Sequence, residues 1–148
     1  MPRTLEHRVF VYGTLLRGEV NHHLLAAARF LGEHRTEPRF TLLVLGAYPG
    51  LVPGGDTAVH GEVYAVDATG LHRLDQLEDY PRLYDRRRIP TAYGSAWVYL
   101  YRGSRQDRIC LAQGDWRTHS RGGLRGSAVR ARRDPKNPSH RHRVAGGG

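Results

Sequence analysis

Residues 8–18 have the sequence RVFVYGTLLRG. Val9, Val11 and the aromatic residues beside them favour a short apolar strand, because β-branched and aromatic side chains pack well on a sheet. Gly13 follows this strand at once and predicts a sharp turn, since glycine reaches backbone angles that other residues avoid. A loop at the end of a strand can direct several backbone N–H groups to one point, which suits a carboxylate or a phosphate. Residues 13–18 are therefore the first candidate for a binding loop.

Two known phosphate-binding patterns can be compared with this loop. The spacing of Gly13 and Gly18 fits a P-loop, but Glu19 and Val20 stand where that motif has a lysine and a hydroxyl residue. The Gly-x-Gly-x-x-Gly pattern of dinucleotide-binding loops is absent from this segment. A turn without any ligand remains the alternative interpretation.

The length and composition of the chain indicate a single small domain. The 148 residues contain one cysteine, Cys110, so the chain cannot form an internal disulfide and fits a reducing compartment. No apolar run approaches the ~20 residues of a membrane-spanning helix. The first residues also lack the layout of a signal peptide. We therefore expect a cytoplasmic protein with no membrane partner.

The basic charge is concentrated at one end of the chain. The net charge is +9, yet residues 1–116 contain 14 Lys or Arg against 13 Asp or Glu. Residues 117–148 contain nine Lys or Arg and a single acid, Asp134, with almost no large apolar residue. Such a segment buries too little surface to offset the entropy lost on ordering it. We therefore expect a domain at 1–116 and a disordered, Arg- and Gly-rich basic tail at 117–148. Nucleic acid is then an unlikely partner except through the tail.

Periodicity and turn residues predict two helices and six further strands. Asn21 and Gly32 bound an alanine- and leucine-rich helix at 22–31, and Asp67 caps a second helix at 68–78. Clusters of glycine and proline predict turns at 46–50 and 53–56. The further strands are expected at 33–38, 39–45, 59–66, 84–91, 95–101 and 109–112.

Glu78, at the end of the second predicted helix, has an unusual position. Leu71, Leu74 and Leu77 form one stripe of a helix with about 100° between residues, and Glu78 falls within that stripe. A carboxyl group facing the core is desolvated, which raises its pKa and suits it to proton transfer near neutral pH. Two alternatives remain. The helix can end before Glu78, or Glu78 can pair with one of the arginines at 86–88.

Several motifs stand in a fixed order along the chain. YGTL at 12–15 is followed by Arg17-Gly18 and Asn21-His22, and then by GEVY at 61–64, Leu74-Asp75-x-x-Glu78 and Tyr84. In this order and spacing, residues 8–116 resemble the γ-glutamylcyclotransferase-like family, in particular its bacterial members and the γ-glutamylamine cyclotransferases. The resemblance implies an α+β fold, with a small mixed β-barrel-like sheet flanked by two or more helices.

The nine histidines show no metal-ligand spacing, so we expect no metal site. The resemblance also implies an enzyme that cleaves a small-molecule γ-glutamyl amine or amide without water or cofactor. The α-amino group of the substrate attacks its own γ-carbonyl carbon, and 5-oxoproline and the free amine are released. Glu78 would accept the proton. The loop residues Tyr12, Gly13, Thr14 and Leu15 would bind the glutamyl moiety.

Three further residues are candidates for this site. Tyr84 and Tyr48 are possible walls of the substrate pocket, although aromatic residues of a core need no such role. Glu62 is a second candidate carboxylate, on the face of its strand opposite the valines. The identity of the leaving amine is left open by these motifs.

A function of a different class also stays open. The domain can be a non-catalytic binding module whose basic tail contacts nucleic acid or an acidic partner. Binding of that kind weakens steeply as salt is added.

Overall fold

The computed structural model describes residues 6–121. Its two α-helices are α1 (Ala68–Leu77) and α2 (Trp116–Ser120), and a single turn of 3-10 helix spans His22–Leu25. Within these limits, no helix is long and apolar enough to cross a membrane. The strands are β1 (His7–Val11), β2 (Arg29–Arg35), β3 (Phe40–Val44), β4 (Pro49–Pro53), β5 (His60–Val66), β6 (Tyr84–Ile89), β7 (Ala96–Tyr101) and β8 (Ile109–Cys110).

The strands form two open sheets. The larger sheet has the order β2-β5-β1-β7-β6, and the smaller has the order β4-β3-β8. β1 pairs antiparallel with β5 and parallel with β7, so the larger sheet is mixed. The predicted α+β class with a mixed sheet and flanking helices is confirmed, and the strands within residues 6–121 form open sheets rather than a closed barrel.

β1 occupies the middle of the larger sheet. Val9 and Phe10 are fully buried there, because both faces of this strand are covered. Strands buried on both faces have continuous apolar sequences rather than alternating ones, and this agrees with the run VFVY at 9–12. The candidate binding loop therefore begins at the end of the central strand of the larger sheet.

The helix predicted at 22–31 is wrong. Only His22–Leu25 is helical, and β2 already begins at Arg29. β2 pairs antiparallel with β5, with a register shift between Phe30 and Gly32. The hydrogen bonds of that ladder outweigh the local helix propensity of the alanines, because propensity is a weak prior beside tertiary pairing.

The turn predicted at 46–50 overlaps a strand that was missed. β4 (Pro49–Pro53) pairs with β3 over five residues, although proline begins and ends it. Proline is tolerated at the ends of a strand on a sheet edge, where its missing N–H breaks no ladder bond. β4 is such an edge strand of the smaller sheet.

The helix predicted at 68–78 is confirmed as α1, which ends one residue earlier. Asp67 caps it, since its Oδ1 accepts a hydrogen bond from the N–H of Gly70 at 2.8 Å. At the other end the N–H groups of Asp79 and Tyr80 donate back to the carbonyls of Gln76 and Asp75. This pair of bonds is a Schellman motif with Asp79 in the left-handed conformation, at φ 55°. Glu78 is thus held at the point where the helix turns away.

The expected basic tail lies mostly outside the described residues. Its first residues, 117–121, are described, and those up to Ser120 belong to α2. The Ser120 hydroxyl donates to the Glu19 carboxylate at 2.9 Å, and Arg121 Nε lies 3.7 Å from the same carboxylate. The start of the segment therefore packs beside the loop that follows β1, whereas residues 122–148 lie outside the described part.

Candidate active site

A cavity of about 300 Å³ opens at the end of β1. The residues that the sequence assigns to proton transfer and to substrate binding all line this cavity, although they come from distant parts of the chain. They are Tyr12, Gly13, Thr14, Leu15, Glu78 and Tyr84. Tyr48, the other candidate wall residue, lines it too. The fold therefore brings the loop after β1, the end of α1 and the start of β6 to one place.

The loop after β1 is closed by its own hydrogen bonds. Leu16 N–H donates to the Gly13 carbonyl at 3.0 Å, and Asn21 N–H donates to the Thr14 carbonyl at 2.8 Å. The Asn21 side chain donates to the Thr14 hydroxyl at 3.0 Å. Asn21 therefore stabilises the loop and makes no side-chain cap for the helical turn that follows it.

Three successive N–H groups of this loop are free for a ligand. Those of Gly13, Thr14 and Leu15 donate to no other group within residues 6–121. Most backbone N–H groups that are removed from water are paired. Consecutive unpaired N–H groups at a cavity can bind a carboxylate or an oxyanion.

Gly13 is required for a different reason than its sequence context suggests. The backbone angle φ of Gly13 is not positive, so its conformation does not by itself require glycine. Instead, a Cβ at this position would lie 2.5 Å from Pro49 Cγ and 2.7 Å from Pro49 Cδ. The ring of Pro49 in β4 packs directly on the bare backbone of Gly13, so the two sheets meet at the binding loop.

Glu78 is the one charged side chain among the cavity-lining residues of the described chain. It is half-buried, and burial raises the pKa of its carboxyl from 4.5 to about 7. Its carboxyl group makes no hydrogen bond or ion pair with any other described residue. A desolvated carboxyl without a partner is costly, and it can exchange a proton near neutral pH.

The arginine that could have neutralised Glu78 is bound elsewhere. Arg86 donates to Asp75 through Nε at 2.9 Å and through a terminal nitrogen at 3.1 Å. Both side chains are largely buried. The alternative that Glu78 pairs with an arginine at 86–88 is therefore wrong for Arg86, and no ion pair joins Glu78 to Arg87 or Arg88 in the described structure.

The tyrosines of the cavity present their rings and use their hydroxyl groups to hold the walls together. Tyr12 donates to the Tyr99 carbonyl at 2.8 Å and accepts from Leu51 N–H at 3.2 Å. Tyr84 donates to the Pro49 carbonyl at 2.7 Å. Burial and the nearby Glu78 raise the pKa of the Tyr12 phenol well above its ordinary value. These phenols therefore stay neutral, whereas the Glu78 carboxyl can exchange a proton near neutral pH.

Glu62, the second candidate carboxylate, lies outside the cavity. Its side chain is fully buried, and its carboxylate accepts hydrogen bonds from the Arg17 N–H and the Tyr64 hydroxyl, both at 3.0 Å. Arg117 of α2 donates to it at 3.3 Å. Glu62 therefore connects β5, the loop after β1 and α2, and its function is structural.

Other cavity residues were not found from the sequence. Tyr99 reaches the cavity from the central part of β7, and Val20 and Leu77 stand at exposed positions. Nothing local distinguishes them, because a strand tyrosine or an exposed valine is common in any small domain. Among the sequence motifs, only the one containing Asn21 lies next to Val20. The described residues contain no group of three or more His, Cys, Asp or Glu placed to hold a metal ion.

Comparisons with known proteins identify the same family by its sequence model and by individual relatives. The sequence model of the family described as "Gamma-glutamyl cyclotransferase, AIG2-like" matches residues 9–118. A Vibrio cholerae protein whose name includes gamma-glutamylcyclotransferase is 48% identical over 112 residues, which cover 76% of this chain and 96% of that protein. Human gamma-glutamylaminecyclotransferase is 44% identical over 87 residues, which cover 53% of this chain and 57% of the human protein.

A solved structure agrees with the fold. The solution structure of the protein YtfP from Escherichia coli superposes with a TM-score of 0.60 and 41% sequence identity. The superposition covers 74% of this chain and 95% of that one. The resemblance stated from the motifs is thereby confirmed, both for the family and for the fold.

Proposed function

Because the chain belongs to the gamma-glutamyl cyclotransferase, AIG2-like family, a family of cyclotransferase enzymes, we propose that it cleaves a γ-glutamyl amine or amide and releases 5-oxoproline and the free amine. One observation supports this most: an unpaired, desolvated carboxyl, that of Glu78, shares a cavity with three unpaired N–H groups. A reaction with an internal nucleophile needs little else from the protein.

In the proposed reaction Glu78 first takes a proton from the α-ammonium group of the substrate. The free amine then attacks the γ-carbonyl carbon, a new C–N bond closes the five-membered ring, and the carbonyl oxygen becomes an oxyanion. The oxyanion then re-forms the carbonyl, the original γ-amide bond breaks, and the protonated Glu78 returns its proton to the leaving nitrogen. The ring nitrogen, which is positively charged after the attack, gives its second proton to the released amine, which leaves as an ammonium ion. One carboxyl with a pKa of about 7 can act in both directions.

The loop after β1 would hold the substrate in the folded shape that ring closure requires. The N–H groups of Gly13, Thr14 and Leu15 would bind the α-carboxylate or the developing oxyanion. The rings of Tyr12 and Tyr84 would exclude water and restrict the glutamyl chain. Positioning of this kind can supply a large part of the rate acceleration, since nucleophile and electrophile belong to one molecule.

The experiment is a product assay with a panel of γ-glutamyl amines and amides. Mass spectrometry should find 5-oxoproline and the free amine in equimolar amounts. Glu78→Gln should lose most turnover, on the order of a hundredfold or more for a general acid–base group, while circular dichroism shows an unchanged fold. Glu37→Gln is the matched control, because among residues 6–121 the Glu37 side chain pairs only with Arg39, on the surface. Full activity of Glu78→Gln would remove Glu78 from this role. A cytoplasmic location is part of the proposal, and cell fractionation tests it.

A further inference from the structure

The short helix α2 contacts the loop after β1 at two points. At the first, Arg117 of α2 donates to the Glu62 carboxylate at 3.3 Å, and the same carboxylate accepts from the Arg17 N–H of the loop at 3.0 Å. At the second, the Glu19 carboxylate accepts from the Ser120 hydroxyl of α2 at 2.9 Å. Both contacts lie within a few residues of the three unpaired N–H groups at the cavity.

The position of α2 is itself fixed in the domain. Trp116 packs in the hydrophobic core, where 3% of it is exposed. The Asp115 carboxylate caps the helix by accepting from the Arg117 N–H at 3.1 Å, and it lies 3.7 Å from Arg117 Nε. A capped helical turn with a buried aromatic anchor gives the Arg117 side chain a fixed origin. Arg117 can therefore restrain the loop rather than follow its movements.

Arg117 is the more buried of the two cations beside Glu62. The Glu62 side chain is fully buried, and Arg17 Nε lies 3.5 Å from its carboxylate, but the Arg17 side chain is 52% exposed. The Arg117 side chain is 24% exposed. Removing one partner from a buried charge leaves that charge undercompensated. Without Arg117, the carboxylate would turn toward the guanidinium of Arg17 and the surrounding water, and its bond to the Arg17 N–H would weaken.

Resting on the proposed function, we infer that Arg117 is a positioning residue for the reaction. Acting through Glu62, it holds the loop after β1 in the conformation in which the N–H groups of residues 13–15 bind the substrate. Residues 117–121 then belong functionally to the domain, although their composition resembles that of the basic segment.

Hydrogen exchange on the full chain tests the restraint without any substrate. Arg117→Met keeps the aliphatic stem and removes the guanidinium. The hydrogen-bonded amides of Leu16, Arg17 and Asn21 should then exchange faster, on the order of tenfold, because a bond to a charged group is lost. Arg117→Lys should restore slow exchange, since an ammonium group still donates to Glu62. Amides of β6 should keep their native rates. Native exchange in the loop of Arg117→Met, or equal acceleration in β6, overturns the inference.

The product assay tests what the restraint does for the reaction. Arg117→Met should lower kcat/KM by about tenfold, because a small displacement of a binding group is costly, and Arg117→Lys should recover most of the loss. Thr36→Val is the control for a purely structural role. The buried Thr36 hydroxyl accepts from the Val59 N–H at 2.9 Å, and Thr36 is not among the described residues that line the cavity. Thr36→Val should therefore lower the urea midpoint and keep the native kcat/KM.

A double variant tests whether the effect passes through Glu62. Arg117→Met/Glu62→Gln should lose no more kcat/KM than Glu62→Gln alone, because groups acting in one network are not additive. Multiplied losses contradict this route, and an equal fall in Thr36→Val contradicts positioning altogether. A native kcat/KM in Arg117→Met overturns the inference and leaves the proposed function intact. If the native chain forms no 5-oxoproline, the proposed function fails, and hydrogen exchange alone decides whether Arg117 restrains the loop.

Discussion

Arg86 donates two hydrogen bonds to Asp75, at 2.9 and 3.1 Å, and this pair leaves Glu78, three residues further along the chain, without a cation. Asp75 also accepts a hydrogen bond from the Tyr99 hydroxyl at 2.7 Å. One carboxylate near the end of α1 is thus fully satisfied, while the other is desolvated and unpaired. Within the described chain, Arg86 therefore pairs with Asp75 and makes no ion pair with Glu78.

The pH dependence of the proposed reaction should show the raised pKa of the unpaired Glu78 carboxyl. Glu78 must be deprotonated to accept the proton, so kcat/KM should rise with pH and level off above its pKa of about 7. The measurement is a pH profile of 5-oxoproline formation with one substrate. A midpoint near 4.5, the ordinary value for glutamate, would mean that the carboxyl is not desolvated in solution.

Glu78 should also lower the stability of the protein at neutral pH. Because the folded-state pKa is raised, the folded protein binds more protons than the unfolded chain between pH 4.5 and about 7, and stability falls as pH rises through that window. The cost above pH 7 is about 3 kcal/mol. Urea unfolding of Glu78→Gln should therefore show a gain relative to the native protein at pH 8 that is absent at pH 4.

The surface variant Glu37→Gln should show no such difference between the two pH values. If the relative stability of Glu78→Gln is the same at pH 4 and pH 8, then Glu78 carries no desolvation cost. A gain in stability together with a loss of activity is what a functional site predicts, since such sites are often strained or unsatisfied.

Gly13→Ala should disturb the meeting point of the two sheets. The new Cβ would lie 2.5 Å from Pro49 Cγ, so either the loop or β4 must move. We expect a loss of about 1–3 kcal/mol in the free energy of unfolding and a marked fall in kcat/KM, because the same loop carries the N–H groups that we propose bind the substrate. Denaturant unfolding and the product assay measure the two effects.

The double variant Gly13→Ala/Pro49→Ala separates steric contact from other causes. Pro49→Ala removes the Cγ and Cδ atoms that the new methyl group would touch. The double variant should then be less impaired than the sum of the two single variants, since residues in contact are not additive. Simple additivity would show that the Pro49 ring is not the reason for glycine at position 13.

Glu62→Gln should weaken the connection between β5, the binding loop and α2. The carboxylate has three donors from three different elements, at 3.0, 3.0 and 3.3 Å. Loss of the charge should cost about 2 kcal/mol, because hydrogen bonds to a charged group are the stronger ones. Urea unfolding tests this, with Glu37→Gln expected to change stability by about 0.5 kcal/mol or less. A cost no larger than that of the control would mean that Glu62 contributes only charge-independent packing.

Short-range sequence patterns predicted the elements whose stability is local. α1 was predicted because Asp67, the leucine spacing and the residues after Leu77 act within a few positions of one another. β5 was predicted because two classes of residue alternate along 59–66, as they do in a strand. The motifs in YGTL and around Glu78 also identified the family, since spacing along the chain is all that a motif requires.

Long-range pairing decided the elements that were missed. Residues 29–31 form part of β2 because β5 offers them a ladder, and Pro49–Pro53 is a strand because β3 lies beside it. Neither partner is visible in the local sequence. The same holds for the cavity wall residue Tyr99, which lies far along the chain from the loop that it faces.

The sequence by itself determined the family, the central strand with its loop, and the helix that ends in an acid, because these depend on residue types at short spacing. Only the tertiary structure decided that Glu78 is the acid left unpaired, since Arg86 could have bound it and instead binds Asp75. The tertiary structure also brought Tyr99 of β7 to the cavity at the end of β1. The physical reason is the same in both cases: pairing and desolvation depend on which distant groups come into contact, and that is set by the packed fold.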